Sequence, residues 1–286
     1  MFFRSSPKKR IYLDHAAATT LFPEVKKIMV EVLNNSHANP SAIHQEGVVA
    51  RGLVENSRQQ VATVLGLRPE GVIFTGSGTE SNNLAILGLV EKLHTDGRPY
   101  SDMEIVTTPI EHPSISELLP ILEKKGVVVR LVEVDSEGKI TVPALEAVLN
   151  PKTVLVTFAY ANSEVGVVQN VSRLVRSVRQ FEKEQGLKIY VHLDSAQAPL
   201  WLPCVLTQLG VDLMSLDTGK CHGPKGVGIL AFRGSTPFSP ILFGGGQEQG
   251  LRAGTENVLG IVGAAKALEL AQATYAKRAE AVAKVR

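Results

Sequence analysis

The sequence predicts an α/β protein built on a mainly parallel, seven-stranded sheet sandwiched by helices. Three observations carry that expectation. From about residue 70 onward, short β-branched runs alternate with longer amphipathic stretches, the pattern of strands covered by helices on both faces. Those runs are apolar throughout rather than in alternation, as buried strands of a parallel sheet are. Hydrophobic residues make up 44% and charged residues 20% of the 286, enough apolar surface for a large core and too much for a disordered chain.

In chain order, PEVKKIMVEVLNN and ARGLVENSRQQVATVLG read as two helices joined by the polar segment SHANPSAIHQEG, a loop able to reach over an active site. The runs VIFT (72–75), EIVTTP (104–109), VVVRLVEV (127–134), TVLVTFAY (153–160), KIYVHLD (188–194), DLMSL (212–216) and VGILAF (227–232) read as buried strands. Between most of them lie the helical patterns SNNLAILGLVEKLH, ISELLPILEKKG, VPALEAVLN and VSRLVRSVRQFEKEQG. Several end on Gly or Asn, the residues that close helices most readily. The final stretch, from VLGIVGAAKALELAQ to VAKVR, is helical in pattern with neither a cap nor a following strand, so the chain is expected to stop inside a helix. The expected organisation is an N-terminal segment (1–20), a large domain (21–258) and the start of a helix (259–286) leading to a small domain that is largely missing.

Bulk properties narrow the function. The formal net charge of +2 gives no footprint for nucleic acid or an anionic membrane. The short cluster Lys8, Lys9, Arg10 reads as solvating the start of the first strand. No apolar run approaches the ~20 residues of a membrane span, and MFFRSSPKKR has no secretory h-region, which together predict a cytoplasmic protein. Cys204 and Cys221 are too few for a disulfide scaffold and lack metal-ligand spacing, so no metal site is expected.

Three elements carry chemistry. VIFT runs into GSGTESNNLAI, where small residues let the backbone approach an anion as a helix begins near Thr79 or Glu80. Such a turn serves as a phosphate seat or simply as a tight turn. Asp194 ends the strand KIYVHLD, where a carboxylate needs a cationic partner or caps a helix. Lys220 ends the next strand, and a lysine held near a carbonyl group can form a Schiff base. An anion seat, a counter-ion for a pyridinium nitrogen and an amine for an aldehyde are the three things that pyridoxal 5′-phosphate requires.

The motifs YLDHAAATT (12–20), ANPSAIHQEG (38–47), FTGSGTESNN (74–83), TPIEHPS (108–114), ANSEVGVVQ (161–169), HLDSAQA (192–198), GKCHGPKGVG (219–228) and GGGQEQGLRAGTENV (244–258) occur in one order along nearly the whole chain. In this the chain resembles the cysteine desulfurases of the NifS and IscS type, class V enzymes of the fold-type I pyridoxal-phosphate architecture. The resemblance implies a large domain that binds this cofactor. Lys220 would attach to its aldehyde, leaving Lys225 without a chemical role. Asp194 would pair with the ring nitrogen, Gln197 would bond the ring oxygen, and His112 would stack on the ring. Gly78 and Thr79 would contact the phosphate, Asn162 and Ser163 would lie near the ring, and Thr255 would reach the phosphate bound in the other subunit of a homodimer. The implied reaction takes L-cysteine, or a related amino acid, to L-alanine, with sulfur carried as an enzyme persulfide to an acceptor or iron–sulfur scaffold protein.

The sequence departs from that pattern around the cofactor. Where the family has Ser, a small residue and His before its lysine, this chain has Asp217, Thr218 and Gly219. The Thr218 hydroxyl is expected to restore one bond to the phosphate. Asp217 is expected to turn away, capping a backbone amide or pairing with Arg252, because a carboxylate beside a dianion is repulsive. Ser163 replaces the second Asn of the Asn-Asn-Glu triplet. The nucleophilic cysteine loop of the family has no counterpart: Cys204 reads as a packing residue, and the side chain of Cys221 is expected to point away from that of Lys220. Two alternatives stand beside the desulfurase reading: a class V lyase or aminotransferase that needs no cysteine, and a degenerate partner subunit.

Overall fold

In the computed structural model, which describes residues 10–285, two helices precede the sheet: α1 (Pro23–Asn35) and α2 (Gln45–Leu65). Then follow β1 (Val72–Thr75), α3 (Gly78–Thr95), β2 (Glu104–Thr107), α4 (Pro113–Ser116), α5 (Leu119–Lys125), β3 (Val128–Leu131), α6 (Val142–Val148) and β4 (Thr153–Ala159). The chain continues through α7 (Val171–Gln185), β5 (Tyr190–Asp194), α8 (Leu206–Leu209), β6 (Leu213–Asp217), β7 (Gly228–Phe232) and α9 (Val258–Ala283). Lys8 and Lys9 of the basic cluster lie outside the described residues. Among the described residues, no helix is long and apolar enough to cross a membrane.

The seven strands form one sheet in the order β1-β7-β6-β5-β4-β2-β3. Only β7 runs antiparallel, inserted between β1 and β6. All other pairings are parallel, so the expected α/β architecture is the observed one. Leu193 and Val191 of β5, with Phe158 of β4 and Met214 of β6, belong to the main core, which α2, α7 and α9 cover with Val61, Leu174, Val178, Ala264 and Leu268. On the opposite face, Ile86 and Leu89 of α3 pack with Ile105 of β2 and Leu155 of β4. Close approach is needed where β7 passes the turn after β1: a Cβ on Gly228 would stand 2.2 Å from the Ser77 carbonyl oxygen.

Two expectations are corrected. The run VVVRLVEV is not a buried strand but the open edge of the sheet, paired only with β2, and Val128 and Leu131 are 39% and 54% exposed. The stretch ISELLPILEKKG is not one helix. It divides into α4 and α5, because Pro120 has no N–H for a continuing turn and is accommodated at the start of a new one.

Candidate active site

The carboxyl ends of β1, β2, β4, β5 and β6 open into one cavity of about 240 Å³. Its wall brings together Gly78 and Thr79 after β1, His112 after β2, Asn162 and Ser163 after β4, Asp194 and Gln197 at the end of β5, and Lys220 after β6. Each comes from a different strand end, the place where parallel sheets present their ligand sites. The segment 36–44 does not reach this cavity. Pro40 and Ser41 instead line a separate one with residues 246–249.

Lys220 sits on a tight turn that two other elements brace. Asp217 caps the turn, its Oδ1 accepting from Gly219 N at 2.9 Å. From the N-terminal segment, the Thr19 amide and hydroxyl both donate to Gly219 O at 2.9 Å, and its Oγ1 accepts from His222 N at 2.7 Å. Lys220 is half-buried on the cavity wall and makes no side-chain hydrogen bond or ion pair among the described residues. Lys225 is exposed and off the wall.

Asp194 is buried, with 7% of its surface exposed. Its Oδ1 accepts from Ala196 N at 3.0 Å and its Oδ2 from Asn82 Nδ2 at 2.8 Å, so it caps a turn rather than a helix. Asn82 also donates to Ser114 Oγ at 2.8 Å. Ser114 in turn meets His112 Nδ1 through its hydroxyl at 2.8 Å and its amide at 3.1 Å. A backbone amide can only donate, so Nδ1 accepts and the proton of the neutral ring resides on Nε2. One relay therefore runs from His112 through Ser114 and Asn82 to Asp194. Neither Asn82 nor Ser114 stood out in the sequence as a partner. An Asn on an apolar helix face carries no local signal for a contact with a strand end more than a hundred residues away.

Beneath Asp194 on the same face of β5, fully buried His192 bridges three strands. Its Nδ1 lies 2.8 Å from Thr157 Oγ1 and its Nε2 lies 2.9 Å from Ser215 Oγ. Burial drives its pKa down to about 4, against a smaller opposing pull from Asp194. Glu111, which no sequence argument singled out, also lines the cavity. Burial pushes its carboxyl up to about 7, offset in part by a hydrogen bond from Thr108 and reinforced by the charge of Asp194.

Other expected residues stand differently. Thr218 is buried and off the wall, with its hydroxyl 2.8 and 2.9 Å from the Pro224 and Val227 carbonyl oxygens. The carbonyls of its own turn occupy that hydroxyl, so it cannot replace a lost phosphate donor. Thr255 is exposed and outside the cavity. Asp217 caps an amide as expected, but Arg252 pairs with Glu80 instead of with Asp217. Nor is Asp217 withdrawn: its Oδ2 lies 3.3 Å from where a Cβ on Gly78 would stand, against the first turn of α3. Gln197 Nε2 donates to Ala16 O at 2.8 Å, and Asn162 fastens its loop by donating to Ile110 O at 2.7 Å. Cys204 and Cys221 are both buried and off the wall, and burial raises both thiols, Cys221 to about 12.

The donor set suits pyridoxal 5′-phosphate at the ring and aldehyde end. An uncommitted amine, a buried carboxylate and an imidazole share one wall, and Asn82 Oδ1 is buried there without a partner. At the other end, Gly78 and Thr79, expected to contact the phosphate, line the wall but face the Asp217 carboxylate.

Fold and site together define an α/β protein of the fold-type I, pyridoxal-phosphate class. The chain belongs to the class-V aminotransferase family, whose sequence profile matches residues 11–285. It is 38% identical over 279 residues to the cysteine desulfurase IscS of Dictyoglomus turgidum, covering 98% of this chain and 68% of that one. Two solved structures are also similar. A NifS-like protein has a TM-score of 0.87 at 38% identity, covering 93% of this chain and 71% of that one. The protein SspA, solved in complex with cysteine, has a TM-score of 0.82 at 33% identity, covering 90% and 72%. The chain spans 62% to 68% of the length of the curated relatives IscS of D. turgidum, IscS 1 of Bacillus subtilis and the cysteine desulfurase of Nostoc.

Proposed function

We propose that the cavity holds pyridoxal 5′-phosphate and that the protein acts on L-cysteine or a related amino acid, in desulfuration that passes sulfur to an acceptor or iron–sulfur scaffold protein. The observation that carries this reading is the convergence of Lys220, Asp194 and His112 on one cavity from three strand ends. When bound, the cofactor supplies an electron sink for negative charge at the carbon next to the substrate amine. Lys220 would supply the amine that holds the aldehyde, and the same amine could serve as a base within the cavity. Asp194, kept in place by two N–H donors, would hold the proton on the ring nitrogen. His112, held through Nδ1 by the Ser114 amide, would stack on the ring and present Nε2–H. Thr255 would act across a homodimer, to which its exposed position on the 251–257 segment is suited.

The test is addition of the cofactor to purified protein, followed by borohydride reduction and peptide mapping. A visible absorbance band that disappears on reduction, with the label on Lys220 and both absent in Lys220→Ala, is the expected result. A label on Lys225, or an unchanged spectrum in Lys220→Ala, overturns the assignment.

A further inference from the structure

Glu111 occupies an unusual position for an acid. Its Oε1 accepts from Thr108 Oγ1 at 2.5 Å. Its Oε2 is shut off from solvent and has no hydrogen-bond partner among the described residues. Such an oxygen costs more when it is charged than when it carries a proton. Nothing in the relay from His112 to Asp194 touches it. Around it stand Thr108 at the end of β2, the backbone of Ala159 at the end of β4 and Asp194 at the end of β5, with His112 next in the chain. His112, Glu164, Asp217 and Lys220 are the other titratable groups on the cavity wall. Of all these, Asp194 is the charged group that acts on Glu111, and it opposes ionisation.

We propose that Glu111 is a positioning residue that stores a proton beside Asp194 and releases it when a cation settles against Asp194. The inference rests on the reading of this cavity as a cofactor site, where the cation is the protonated ring nitrogen. With that positive charge in place, the repulsion from Asp194 is compensated and the Glu111 carboxylate gains an attractive neighbour. Further loss of solvent on binding opposes this only weakly, because the free oxygen is already dry. The proton leaves as H⁺ to solvent, no covalent bond to carbon changes, and Glu111 becomes negative only when a positive charge stands beside Asp194. Glu111 thereby matches the charge of the site to its contents.

Two measurements test this. In the first, protein with 13C-labelled glutamate is titrated by NMR without ligand. The Glu111 midpoint, assigned by its loss in Glu111→Gln, must fall in Asp194→Asn relative to the parent, and an unmoved midpoint overturns the coupling. In the second, 4′-deoxypyridoxine 5′-phosphate, which has the ring nitrogen and phosphate but no aldehyde, is titrated by calorimetry at pH 7 in PIPES and in HEPES. The dependence on buffer gives the protons released. The parent should release about half a proton more than Glu111→Gln, as expected for a group half-protonated at that pH and ionised in the complex. Equal proton counts with equal affinity overturn the proposal. Failure of the analogue to bind either protein overturns the cofactor reading and the ligand-linked step, while the NMR titration still decides whether the two acids are coupled.

Discussion

Removal of the Glu248 carboxylate should cost the protein more than any other single loss of charge described above. Glu248 side-chain exposure is 2%, and its two oxygens meet Arg58 Nη2 and Nη1 at 2.7 and 2.8 Å. The second oxygen also accepts from Phe74 N of β1 at 2.7 Å. One carboxylate thus ties the 246–250 segment to α2 and to the sheet, at a residue whose φ of +47° is itself unfavourable. In Glu248→Ala, Arg58 is left buried with the Val72 carbonyl oxygen as a neutral acceptor and Glu55 as its remaining charged partner, a pair on the rim at which Glu55 is 55% exposed, and rim pairs are worth little. Breaking a buried pair costs about 3–5 kcal/mol, and the stranded Phe74 amide works in the same direction. With roughly 2–4 °C of Tm per kcal/mol in domains approaching this size, a fall of about 10 °C is expected in differential scanning fluorimetry. Arg58→Met/Glu248→Met should recover most of it, since no buried unpaired charge remains and Glu55 is 55% exposed. A fall below about 2 °C, or a double variant no better than the singles, would refute the argument that the pair is buried and mutually required.

Two further outcomes follow from the site. Asp217→Ser should tighten binding of the phosphorylated cofactor roughly tenfold and leave unphosphorylated pyridoxal unaffected, because serine can still cap Gly219 while the charge facing Gly78 is lost. Fluorescence titration of both ligands checks this, and an equal change for the two would place Asp217 outside the anion seat. His192, buried and neutral with its pKa lowered to about 4, contributes stability that is present above the unfolded value of about 6.5 and lost as pH falls toward 4. The raised Glu111 carboxyl has the opposite sign, contributing below about 4.5 and losing its contribution as pH rises through about 7. The difference in urea midpoint between the parent and His192→Gln cancels the Glu111 contribution, and should narrow as pH falls from 6.5 to 4. A difference independent of pH would mean that His192 takes up a proton in place.

The strand ends were legible in the sequence because they are local: Asp194 closes an apolar run, and Lys220 closes the short turn that follows another. What escaped was whatever depends on a second segment. The β-branched run 127–134 has the composition of a central strand, and only the sheet order makes it an edge. Thr218, next but one to Lys220, was expected on the cavity, yet the Pro224 and Val227 carbonyls of its own loop claim the hydroxyl. Glu111 and Asn82 sit within quoted motifs, but their roles exist only relative to Asp194, which is supplied by β5. The acid immediately before His112, in a turn bounded by prolines, was the one local hint.

The insertion of β7 between β1 and β6 also sets an order of events in folding. β1 is made early in synthesis, but its only hydrogen-bonding neighbour in the sheet is residues 228–232. Until those have left the ribosome, Val72–Thr75 has no ladder to join, and Leu84 and Ala85 of α3 lack the Leu230 and Phe232 side chains that share their cluster. Contacts this distant in sequence form slowly and leave apolar surface exposed meanwhile. The turn at Gly78 and the lysine turn at 218–220 are therefore tied to each other through the sheet only once β7 pairs with both β1 and β6. Ligand added during refolding should capture only molecules that have already completed the sheet.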